Sequence, residues 1–86
     1  MPTICTFRGI KIFMNYDEHN PPHFHASYSD YKIVIDINNI EVSQGEFPTL
    51  QLKMLLGWAA FHKEELLENW ELAKNHKALF KIDPLR

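Results

Sequence analysis

Three of the five histidines in this 86-residue chain, His19, His23 and His25, fall within seven residues around the pair Pro21-Pro22. Three chemistries suit such a group. The imidazoles can bind a divalent transition metal such as Zn, Ni or Cu and leave a coordination position open, with Asp17 or Glu18 as a fourth ligand. A histidine pair can instead serve as general base and general acid, because imidazole titrates near neutrality. Ribonucleolytic chemistry of that kind also needs a cation for the phosphate, and Arg8, Lys11 and Lys32 are the candidates on neighbouring strands. In the third case the rings are structural: stacked on the Pro-Pro turn, donating N–H to backbone carbonyls, or lining an interface. The spacing matches no recognised zinc pattern, and the residues alone leave all three readings open.

The elements that position these rings can be read from the flanking pattern. The prolines fix their own φ and lack N–H donors, and Asn20 and Pro21, each before a proline, are pushed toward extended conformation. A strand over 23–28 puts His23 and His25 on one face and Phe24 on the other. Before it, residues 3–8 and 10–16 are strand candidates around Gly9, joined by either a tight hairpin or a bulge. After it, Ser29-Asp30 reads as a hairpin turn into a strand over 31–37, whose Tyr31, Ile33, Ile35 and Ile37 share a face. Asn38-Asn39 turns into a short return strand from Ile40, ending at Gln44-Gly45.

The period changes after Pro48. Leu52, Leu55, Leu56, Ala59, Leu66, Trp70 and Ala73 recur at helical spacing, with Thr49 as the expected N-cap. The stripe is interrupted around His62-Lys63, where a kink into two helices is the alternative; the reading favours one long helix over 49–74. Residues 77–82 read as a final short strand. The expected fold is α+β: one domain over 1–86, a small antiparallel sheet of about four to five strands packed on one long C-terminal amphipathic helix, then that last strand.

Composition narrows the class. A hydrophobic content of 45%, with 13% aromatic residues, suffices for a globular core and excludes a disordered chain. A formal charge of −2 does not point to RNA or DNA, whose partners carry basic surfaces. It leaves room for a local contact, and the late basic residues Lys74, His76, Lys77, Lys81 and Arg86 are one further, weak candidate. The single cysteine, Cys5, can form no intrachain disulfide and reads as a buried inert thiol. No signal-peptide pattern and no bilayer-length apolar run is visible, so the expectation is a cytoplasmic protein without a membrane partner. Trp58, Phe61 and Trp70 read first as core. Trp58 and Phe61 lie slightly off the leucine stripe and would form a partner interface if exposed. The glutamates Glu64, Glu65, Glu68 and Glu71 read as a solvated face, or as a seat for a basic partner.

Three motifs together, Met1-Pro2-Thr3-Ile4, the heptad His19-Asn20-Pro21-Pro22-His23-Phe24-His25, and the run from Glu64 to Ala73, resemble a small prokaryotic domain-of-unknown-function family. The heptad is its most specific mark, and the resemblance covers nearly the whole chain. It implies a toxin-like component of a type II toxin–antitoxin-like pair, neutralised by a small antitoxin-like protein encoded nearby. It carries over no catalytic residue. The alternative is a non-enzymatic binding or regulatory module with a structural or metal-binding histidine cluster.

Overall fold

The computed structural model describes residues 2–85; Met1 and Arg86, named above, lie outside them. Five strands, β1 (Thr3–Phe7), β2 (Ile10–Phe13), β3 (His23–Tyr28), β4 (Tyr31–Asp36) and β5 (Glu41–Gly45), precede two helices, α1 (Thr49–Phe61) and α2 (Lys63–Lys74). The strands form one antiparallel sheet in chain order. The β1–β2 connection is a two-residue hairpin, with Arg8 at φ 48° and Gly9 at φ 80°. That left-handed pair matches the twist of the strands it joins. Ser29, also at positive φ, leads the β3–β4 hairpin, in which Tyr28 faces Tyr31.

One face of the sheet is the core. Ile10 and Ile12 of β2, Phe24 and Ala26 of β3, and Ile33 and Ile35 of β4 are buried on it. Leu55, Trp58 and Ala59 of α1 and Leu66 and Trp70 of α2 join the same cluster. Trp58 packs on Phe7 and Phe24, with ring centroids 5.7 and 6.1 Å apart.

The helical region departs from the sequence reading in two ways. Residues 49–74 form two helices rather than one, broken at His62, whose ψ is 23°. A straight helix over that span would run ~39 Å, beyond the 34 Å longest extent of the molecule. The break folds the second half back onto the domain. A signal for it was present, because Glu64 and Glu65 occupy the first turn of α2, where acidic residues suit the positive end of a helix. The expected N-cap also moves by one residue: Pro48 holds that position and Thr49 is the first helical residue.

The expected last strand is absent. Residues 77–85 have no regular secondary structure. Side chains of the helices bond three of their backbone polar groups instead. The buried Asn69 side chain accepts from the Phe80 N–H at 3.0 Å and donates to the Phe80 carbonyl at 2.9 Å. The Trp58 indole N–H donates to the Asp83 carbonyl at 2.8 Å. One backbone bond reaches the sheet, from the Ile82 N–H to the Ile4 carbonyl at 2.9 Å.

Asn69 is 0% exposed and serves both polar groups of one peptide residue, so its loss strands them. Asn69→Ala is expected to cost about 1–3 kcal/mol of stability, read as a lower urea midpoint with an unchanged m-value. Wild-type stability in that variant would show that the tail is not held by this contact.

Candidate functional site

The outward face of the sheet, opposite the core, carries most of the candidate residues. Because β3 alternates, His23, His25 and Ser27 face outward while Phe24 and Ala26 are buried. The register lines up three rows on that face. Phe13, His25, Val34 and Gln44 form the middle row. Lys11, Ser27 and Lys32 form the row toward the hairpin turns. On the other side of the middle row, His23 faces Asp36.

The β2–β3 connection brings a carboxylate onto this face. Asp17 takes a positive φ of 63°, and the Asn20–Pro21 peptide is cis. Glu18 turns inward, where the Asn15 side-chain amide donates to its Oε1 at 3.1 Å. The same oxygen lies 2.8 Å from His25 Nε2 and 3.5 Å from His23 Nε2. Burial raises the Glu18 pKa, but the hydrogen bonds from His25 and Asn15, with the nearby imidazoles, outweigh it and hold the carboxyl below its usual range. An ionised Glu18 requires that His25 Nε2 carry the proton it shares.

Each ring is also held from the side. His23 Nδ1 lies 2.9 Å from the Pro21 carbonyl, which can only accept, so Nδ1 carries a proton. The His23 ring lies 5.0 Å from Trp70 of α2, and His25 stacks on Phe13 at 5.3 Å with the planes 13° apart. At the end of α2, His76 pairs with Asp17 at 2.8 Å and stacks on Tyr16. Asn15 Oδ1 and Trp70 Nε1, both buried, have no partner among the described residues.

Among the sequence candidates, the structure brings His23 and His25 together and substitutes Glu18 for His19. Glu18, His23 and His25 are the group whose ligand atoms all lie within 4.8 Å of one another; by residue type and spacing alone, Glu18 is one of two choices for a fourth ligand, beside Asp17. His19 is exposed and lines the wall of the same cleft, about 350 Å³, with Asn20, Asp36, Ser43 and Gln44. Beyond His25 a second cleft of about 220 Å³ is bounded by Phe13, Lys32, Val34 and Gln44.

The cationic candidates divide. Lys32 lines that second cleft, and Lys11 shares its face, with Nζ 5.9 Å from the Phe13 ring centre. Arg8 sits in the β1–β2 turn, at the end of the sheet away from His23. Of the late basic segment, Lys81 donates to the Thr3 carbonyl, His76 pairs with Asp17 beside Glu18, and Arg86 lies outside the described residues. The aromatic pair differs in burial, Trp58 being buried and Phe61 85% exposed, while both line one groove. Phe61 lines an apolar groove with Gly57, Pro84 and Leu85. Cys5 is buried and burial pushes its thiol pKa up, as an inert thiol requires. No described helix is long and apolar enough to cross a membrane.

Two imidazoles and one carboxylate in an open cleft can hold a divalent cation or pass a proton. The Glu18–His25 bond is half-buried, so a double-mutant cycle on Glu18→Gln and His25→Asn should return about 0.5–1.5 kcal/mol of coupling by urea denaturation. Strict additivity would mean that the two side chains do not interact in solution.

No curated protein and no solved structure matches the chain. The family described as a domain of unknown function, DUF4160, matches residues 9–71, a span that holds the whole cluster. The chain belongs to the DUF4160 family.

Proposed function

We propose that the chain is the toxin-like component of a small prokaryotic two-gene module of the type II toxin–antitoxin kind. It acts in the cytoplasm and is neutralised by direct complex with a small protein encoded beside it. The heptad from His19 to His25 is the family signature in this reading, and the cleft beside it is the functional surface. The observation that carries the proposal is the meeting of Glu18, His23 and His25 in an open cleft, a concentration of reactive groups on a face the core does not need. Lys11 and Lys32 on the same face would attract an anionic target. Phe61, large and exposed, is the candidate contact for the partner.

A second reading, a non-enzymatic binding or regulatory module, draws support from His23. Its ring packs on Trp70 and bonds the Pro21 carbonyl, contacts that also suit a structural histidine.

Induced expression of the chain alone should slow growth, and co-expression of the neighbouring protein should relieve it. The double variant His23→Ala, His25→Ala should lose the effect while keeping its circular dichroism spectrum. Normal growth at verified expression would remove the toxin reading in favour of the second, and full toxicity of the folded double variant would remove the cleft from the mechanism.

A further inference from the structure

We infer that Glu18, His23 and His25 form the three-ligand site of one divalent transition metal of the zinc class. The inference holds under either reading of function, since it concerns what the cleft binds. Its starting point is a conflict of lone pairs. The Pro21 carbonyl takes the Nδ1 proton of His23 at 2.9 Å, so in the neutral ring Nε2 presents a bare lone pair. That lone pair meets Glu18 Oε1, another lone-pair atom, at 3.5 Å. A proton on Nε2 would make the contact an ordinary ion pair, whereas a divalent cation between the two atoms turns repulsion into attraction for both of them and His25 together.

The spacing suits an ion. Nitrogen and oxygen ligands at ~2.1 Å from a common metal stand about 3.0 Å apart in an octahedral facial set and about 3.4 Å apart in a tetrahedral one. The Glu18 oxygen lies 2.8 and 3.5 Å from the two imidazole nitrogens, and all three atoms lie within 4.8 Å. Small rotations of the rings bring them onto one ion. His25 then carries its proton on Nδ1, and the metal takes the place of the Nε2 proton.

The surroundings are those of a ligand set rather than of three surface side chains. A ligating histidine commonly donates its other N–H to a backbone carbonyl, which fixes tautomer and ring plane, and His23 does so. His25 is held flat on Phe13, and Glu18 is oriented by the Asn15 amide. Two imidazole nitrogens, which are borderline donors, beside one carboxylate oxygen suit zinc-class ions over magnesium or calcium, which prefer oxygen alone. Three protein ligands leave the cleft side of the ion open to water or substrate.

The test uses untagged protein, freed of metal by a chelator and titrated with Zn2+ by calorimetry, with Mg2+ as control. One Zn2+ per chain is expected, with Mg2+ at least 100-fold weaker. Glu18→Gln and His23→Gln should each weaken Zn2+ binding more than tenfold, whereas His19→Ala and His62→Ala should leave it within twofold. Because His23 lies on Trp70, Zn2+ should change the tryptophan fluorescence of the wild type and not of His23→Gln. Should either ligand variant unfold, Co2+ added to the wild type gives an independent reading, with nitrogen and oxygen ligation visible in its d–d absorption. No binding, a site lost through His19 or His62, or a Co2+ spectrum of water ligands alone would overturn the inference. A zinc-binding protein that leaves growth unaffected would overturn only the toxin reading.

Discussion

Phe24 lies edge-on against Trp58, and the burial of that pair decides which way every other side chain of β3 points. Side chains on a strand alternate, so a slip of one residue would turn Phe24 and Ala26 to solvent and bring His23 and His25 into the core. Burying two imidazoles in place of an aromatic ring and a methyl group is far less favourable, and the register is fixed by that difference. The neighbours follow from it. With His25 facing outward, its partners Phe13 and Val34 face outward too, and the floor of the site is set by packing on the opposite side of the sheet.

The second helix completes the arrangement from outside the sheet. Because the helical region breaks at His62, α2 turns back and delivers Trp70 to the His23 ring and His76 to Asp17. The connection that carries Glu18 is therefore bounded by the sheet on one side and by α2 on the other. The exposed His76–Asp17 pair contributes little energy by itself, whereas the buried Trp70 gives the His23 ring a fixed surface to rest on.

Much of the sheet was legible from local pattern: the alternation in β3 and β4, the Ser29-Asp30 turn, and the shared face of His23 and His25 opposite Phe24. The third member of the cluster was not. Whether Glu18 or His19 faces the other two depends on the backbone of one tight connection, where Asp17 adopts positive φ. Neither residue type nor spacing encodes that choice in an obvious way. The tail departs from its strand-like pattern for a different reason. Leu79, Phe80 and Ile82 look like a strand by propensity, but the Phe80 peptide groups pair with a side chain from a helix. A trace of this was visible, since Asn69 sits beside Trp70 on the stripe that runs from Leu66 to Ala73, where a polar residue needs a buried partner.

The bond from Ile82 to Ile4 joins residues far apart in the chain, and its main consequence lies in the order of assembly during synthesis. All contacts between consecutive strands can form as soon as each hairpin has left the ribosome. The outer edge of β1 cannot be covered in this way until Ile82 has emerged. Until then the nascent domain displays that edge with unpaired backbone groups, the kind of surface that invites pairing with another chain. Closing it only then makes the segment from Leu79 to Ile82 a latch on β1, and places the greatest risk of misassembly before that segment arrives.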